Sequence, residues 1–145
     1  MGASHQVYLG LGSNMGDRLG NLRRALELLP REGVQVEALS SFRETRPVGG
    51  PPQGLYLNGA LRGRTHLGPF ELLRVLKDIE RRLGRDLEGP RWGPRPIDLD
   101  ILLFDDLFLV TPELVLPHPR MGARAFVLEP LVEVLECRWS ATAAP

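Results

Sequence analysis

The sequence predicts an α+β sandwich, with amphipathic helices laid on one face of a mostly antiparallel sheet and a hairpin and a helix added at the C-terminal end. Three observations lead there. Leucines recur at helical spacing in two segments, and short apolar runs rich in strand formers surround them. The helices are separated by pairs of strands, and no parallel βαβ unit is visible. The chain has 145 residues, 43% apolar and 25% charged, which is the size and composition of one globular domain.

Taken in order, Val7–Leu11 is short, apolar and strand-like, and it runs into Gly12-Ser13-Asn14. Leu19, Leu22, Leu26 and Leu29 then share one helical stripe, with Asn14 or Asp17 as the cap and Pro30 as the stop. Val34 to Arg43 is extended, with a break near Ser40-Ser41. Gly49-Gly50-Pro51-Pro52-Gln53-Gly54 must be a loop, and Tyr56–Leu61 is the next strand. Pro69 opens a second helix along Leu72, Leu73, Leu76, Ile79 and Leu83, and Gly84 ends it. After a Gly/Pro-rich loop from Arg85 to Pro96 comes the strongest strand, Ile97–Phe104. Asp105-Asp106 turns the chain into Leu107–Val110, which is expected to form a hairpin with it. A loop at Pro117-His118-Pro119 precedes a final helix from about Ala123 to Leu135, interrupted by Pro130.

Composition narrows the function. Eighteen basic and eighteen acidic residues cancel, which disfavours a nucleic-acid binder, whose affinity rests on excess positive charge. With Cys137 as the lone cysteine, no intrachain disulfide forms and a reducing, cytoplasmic setting is expected. No run approaches the roughly 18 consecutive apolar residues of a membrane span. Lys77 is the only lysine among many arginines, a bias that carries meaning only where arginines gather beside other phosphate-handling groups.

The segment Arg91-Trp92-Gly93-Pro94-Arg95-Pro96-Ile97-Asp98-Leu99-Asp100 carries the most chemistry. Side chains alternate along a strand, so Asp98 and Asp100 share one face while Ile97, Leu99 and Ile101 take the other. Two carboxylates on one face call for a cation, and Mg²⁺ is commonly held by one or two carboxylates plus substrate phosphates. Arg85, Arg91 and Arg95 in the preceding loop suit a polyphosphate clamp, and Trp92 among them suits a lid over a planar ligand. Gly10, Gly12 and Gly16 do not have dinucleotide-fingerprint spacing, and no G-x-x-x-x-G-K-[ST] is present. His5, His66 and Cys137 look incidental.

RWGPRPIDLDI, together with YLGLGSNMGD, SSFRETRPVG, YLNGA and LPHPRMGARAFVLEPL, resembles the 6-hydroxymethyl-7,8-dihydropterin pyrophosphokinase family of folate biosynthesis. The resemblance runs from about Val7 to Val134 and implies a single domain over 1–145 with a ferredoxin-like fold. It implies transfer of pyrophosphate from ATP to the pterin hydroxymethyl group, with release of AMP. Asp98 and Asp100 match the family's residues for two Mg²⁺ ions, and Arg85 and Arg95 match its transition-state arginines. Tyr56 and Phe126 match the rings that sandwich the pterin. Thr45, Asn58 and the backbone near Val48 match the groups that read its edge, and Gly12 and Trp92 fall in the same pocket. Leu73, Glu80, Arg91, Trp92, Ile101, His118 and Arg124 fall on the ATP side, with Arg85 and Arg95. Leu87 and Glu113 stand where some members carry a basic residue. The implied partners are ATP and the pterin, with no nucleic acid, membrane or obligate protein partner. Two rivals fit the same fold: a noncatalytic ferredoxin-like module binding single-stranded RNA, and a Mg-dependent nucleotide transferase with another flat acceptor.

Overall fold

The computed structural model describes residues 2–46, 52–84, 96–121 and 125–135, with Ala125 and Phe126 described through their backbone only. The elements are β1 (His5–Ser13), α1 (Arg18–Arg31), β2 (Val34–Leu39), β3 (Arg43–Thr45), β4 (Tyr56–Thr65), α2 (Pro69–Arg82), β5 (Asp98–Phe104), β6 (Leu109–Val110), β7 (Val115–Leu116) and α3 (Ala125–Val134). The main sheet runs β2-β4-β1-β5, with β3 following β2 along the same edge of β4, and every pairing is antiparallel. The α+β class and its antiparallel sheet are as the residue pattern implies.

The leucine stripes build the larger core. Leu22, Ala25 and Leu29 of α1 and Leu72, Leu76 and Ile79 of α2 bury against Val7, Leu9, Leu11, Leu61, Leu99 and Ile101 on one face of the sheet. Asp17 caps α1 by accepting the Gly20 N–H at 3.0 Å. Pro30 does not stop the helix. It lies one residue inside its end, where a missing N–H removes a single bond, and the Glu32 N–H closes the turn on Leu28 and Leu29. Pro69 starts α2, where the Glu71 carboxylate accepts the Gly68 N–H at 3.0 Å.

Two expectations are corrected. The third helix does not join the others: Leu131 and Val134 of α3 pack with Tyr8, Ala60 and Leu102 in a second cluster on the opposite face. The strand after Asp105-Asp106 also does not pair with β5. β6 pairs with β7, Leu109 opposite Leu116 and Val110 opposite Val115.

β5 is an edge strand, so its outer backbone groups need partners from outside the sheet. Glu80 supplies one. Its carboxylate, 2% exposed on the apolar side of α2, accepts the Leu99 N–H at 2.8 Å. The His118 N–H supplies another by donating to the Leu102 carbonyl at 3.0 Å. Removing the Glu80 carboxylate leaves a buried N–H unpaired, at a cost of about 1–3 kcal/mol. Urea unfolding of Glu80→Ala should show a loss of at least that size. An unchanged midpoint would mean that this bond does not hold the strand.

Candidate active site

Among the described residues, α3 packs on the part of its sheet face around Tyr8, Ala60 and Leu102, and the polar residues lie on the rest of that face. The register sets them side by side. Gly12 of β1 stands opposite Asp98 on one side and Asn58 on the other, and Gly10 stands opposite Asp100 and Ala60. On the next strand Arg43 is opposite Asn58, and Thr45 is opposite Tyr56. Paired residues share a face, so Asp98, Gly12, Asn58 and Arg43 form one row across it. Asp98 and Asn58 are two strand spacings apart, about 10 Å. The carboxylates therefore sit at one end of a short polar floor and the amide and hydroxyl at the other.

Gly12 is required by space rather than by its backbone angles. A Cβ there would lie 2.5 Å from Asn58 Oδ1 and 3.2 Å from the Tyr56 ring. Nothing but hydrogen fits under these two side chains, which brings them down onto the sheet. Asn58 Nδ2 donates to Thr45 Oγ1, so the amide and the hydroxyl are fixed to each other. Just beyond β1, Asn14 donates from Nδ2 to Gln53 Oε1 at 2.7 Å and to the Gly54 carbonyl at 3.2 Å. Arg18 adds a bond to the Leu55 carbonyl at 3.0 Å. The segment that leads into Tyr56 is thus clasped to the turn after β1.

At the carboxylate end, Leu99 and Ile101 are buried in the main core, which turns Asp98 and Asp100 to the opposite face as the alternation implies. His118 approaches from the loop after β7. Its Nδ1 accepts the Arg120 N–H at 3.2 Å, which leaves the ring proton on Nε2, 3.9 Å from Asp100 Oδ1. Among the described residues, no three histidine, cysteine, aspartate or glutamate side chains gather around a common point. Asp98 and Asp100 have hard oxygen donors, and the Asp100 side chain is 48% exposed. That donor set fits a Mg²⁺ completed by water and phosphate oxygens, not a closed protein cage.

Three residues expected on the nucleotide side have side chains at the main core. Glu80 is buried, and its carboxylate accepts the Leu99 N–H of β5. The Ile101 side chain faces the core, away from the aspartates, and Leu73 packs against that same core. Val48, Arg85, Leu87, Arg91, Trp92, Arg95 and Arg124 lie outside the described residues, as does the Phe126 side chain. The Phe126 backbone lies in the first turn of α3.

Gln53 and Arg18 shape the site with no role read from the sequence, and Asn14, read there as a candidate helix cap, bonds to Gln53 and Gly54 instead. The available signal was a buried-looking Ser-Asn pair directly after a strand. Two further residues act from α3. The Glu133 carboxylate accepts the Ser41 hydroxyl at 2.8 Å and the Ser41 N–H at 2.7 Å. Arg43 bridges Glu129 at 2.6 Å and Glu133 at 2.5 Å. The bonds from Ser41, and then the charge of Arg43, hold the Glu133 carboxyl below the usual carboxylate range. Its contribution to docking α3 is therefore full at neutral pH and is lost as the pH falls through that lowered value.

Known proteins match this chain along nearly its whole length. The family profile for 7,8-dihydro-6-hydroxymethylpterin-pyrophosphokinase matches residues 8–136. The 2-amino-4-hydroxy-6-hydroxymethyldihydropteridine pyrophosphokinase of Bacillus subtilis (strain 168) is 50% identical over 131 residues, covering 90% of this chain and 78% of the relative. That of Aquifex aeolicus (strain VF5) is 44% identical over 128 residues, covering 88% of this chain and 79% of the relative. The mitochondrial folate synthesis bifunctional protein of Arabidopsis thaliana is 50% identical over 131 residues, 90% of this chain but only 24% of the relative. This chain thus spans about a quarter of the plant bifunctional protein and most of the length of the bacterial enzymes. A profile match over residues 8–136, with half of the aligned residues identical in an enzyme of similar length, means that the chain belongs to the 7,8-dihydro-6-hydroxymethylpterin-pyrophosphokinase family.

Proposed function

We propose that this chain transfers the terminal pyrophosphoryl group of ATP to 6-hydroxymethyl-7,8-dihydropterin in folate synthesis. Family membership supports the reaction. The observation that carries the site is the row of Asp98, Gly12 and Asn58 on the polar part of the sheet face, with Thr45 bonded to Asn58. A flat heterocycle with donors and acceptors on its rim suits the Thr45–Asn58 end, and its hydroxymethyl arm then extends toward the aspartates.

In the reaction the hydroxymethyl oxygen bonds to the β-phosphorus, and the bridge between that phosphorus and the α-phosphate oxygen breaks. AMP leaves with the bonding electrons, and the hydroxyl proton passes to water or a carboxylate. Such transfers need positioning and charge neutralisation more than covalent help. Asp98 and Asp100 would hold two Mg²⁺ ions, which when bound neutralise the triphosphate and align the attacking and leaving oxygens. Arg85 and Arg95 would stabilise the charge of the transition state, with Arg91, Trp92 and Arg124 on the nucleotide side. His118 would join them on the nucleotide side, its Nε2 standing 3.9 Å from Asp100 Oδ1. Tyr56 and Phe126 would stack on the two faces of the pterin, and Asn58 and Thr45 would reject analogues that leave them unpaired. A cytoplasmic location belongs to the same proposal.

Product analysis with ATP, Mg²⁺ and the pterin should yield AMP and a pyrophosphorylated pterin; ADP in place of AMP would contradict the reaction. Asp98→Ala should abolish turnover while keeping the fold, and normal activity in it would remove the metal assignment. Arg95→Ala should lower kcat by roughly 10²–10³, the size seen when one preorganised charge-stabilising donor is lost. A rise in KM alone would make Arg95 a binding residue only. Gly12→Ala should raise the pterin KM and leave the ATP KM unchanged, because the added methyl displaces Asn58 and Tyr56. Equal shifts in both would show that Gly12 does not belong to the pterin floor.

A further inference from the structure

We propose that Arg43, with Glu129 and Glu133, is a positioning latch that fixes the strand carrying Thr45 against the helix carrying Phe126, and so sets the opening that receives the heterocycle. The inference rests on the function proposed above and extends it to residues with no assigned role.

The need for a latch follows from β3. It is three residues long and pairs only with β4, so its ladder is minimal. Yet Thr45, its last residue, is the partner of Asn58. α3 in turn rests on a small apolar cluster near its C-terminal end, through Leu131 and Val134. Arg62 secures that same end by donating from Nη1 to the Val134 carbonyl at 2.8 Å. Val127 of the first turn also packs against that cluster, but the two fully seated side chains and the Arg62 bond lie toward the C-terminal end.

The Arg43 guanidinium lies between the two. It spans Glu129 and Glu133, one turn apart on α3, while Glu133 also accepts both Ser41 groups. Because Glu133 meets Ser41 and Arg43, and Glu129 meets Arg43, the helix runs antiparallel to the strand. Continuing that direction carries the first turn of α3, with the backbone of Phe126, toward Thr45. Arg43 also stands directly opposite Asn58 in the ladder, so the latch and the polar floor share a row of the sheet. An isolated exposed ion pair contributes little, but a guanidinium bridging two carboxylates is directional and fixes distance as well as charge.

The test is steady-state kinetics with pterin and ATP varied separately, on the unaltered chain, Arg43→Ala and Arg43→Lys. Asp78→Asn, which removes a carboxylate paired with Arg81 and Arg82 on α2 instead, is the control. Hydrogen exchange at the amides of residues 43–45 is measured alongside. Arg43→Ala should raise the pterin KM by on the order of 10- to 100-fold, the effect of a small misplacement at a binding site, with the ATP KM unchanged. Residues 43–45 should exchange faster in that variant. Arg43→Lys should recover part of the loss, since lysine keeps the charge but cannot span two carboxylates as a planar fork. An unchanged pterin KM, or equal rises in both constants with slow exchange retained, overturns the latch. An unaltered chain that makes no pyrophosphorylated pterin overturns the function itself, and the exchange data keep the two failures apart.

Discussion

The pairing of β1 with both β4 and β5 is the constraint on which the rest of the structure depends. β1 is the strand between the other two, and its register places Asp98 and Asn58 on either side of Gly12. A slip of one residue in either ladder would send the aspartates or the amide to the opposite face. The apolar alternation prevents this. Val7, Leu9 and Leu11 of β1, Leu61 of β4, and Leu99 and Ile101 of β5 all bury on the α1/α2 side, so the polar set is forced to the other. The same burial that drives folding therefore aims the chemistry.

The two faces differ in how completely they are covered. Among the described residues, α1 and α2 cover theirs with a continuous core, whereas α3 covers the region of Tyr8, Ala60 and Leu102. A shift in register between Tyr8 and Leu9 against β5 changes the phase of the alternation. Leu102 and Leu103 both belong with the α3 cluster, while Phe104 returns to the main core. Beyond that shift the face is apolar and closed by the helix. Before it the face is polar and bears the aspartates. Glu80 and the His118 N–H hold the outer edge of β5 so that this arrangement persists at an edge strand.

Much of this was legible in the residues, for stated reasons. The leucine stripes of α1 and α2 report one-sided burial, and the alternation Ile97-Asp98-Leu99-Asp100-Ile101 separates carboxylates from core. What the sequence does not encode locally is which face a helix chooses. α3 has apolar residues that suit either side, and its partners Tyr8, Ala60 and Leu102 lie far away in the chain. The pairing of β6 with β7 was hidden by the short apolar run Leu107–Val110, which reads equally well as a return strand against β5. The resemblance places Glu80 on the nucleotide side, and only the fold shows that its buried carboxylate also accepts the Leu99 N–H. Arg43, Glu129 and Glu133 are ordinary surface charges until the fold brings residues some ninety positions apart into contact.

The central claim is that the polar part of the α3 face, beside Gly12 and Asn58, is where the heterocycle sits. Amide chemical-shift mapping during titration with 6-hydroxymethylpterin tests it most directly, since it needs no turnover. The account predicts the largest changes at Gly12, Thr45, Tyr56 and Asn58, with the α1 and α2 helices silent. Changes centred on α1 and α2, or on the exposed Phe108 and Val110, with Gly12 and Asn58 unmoved, would contradict it.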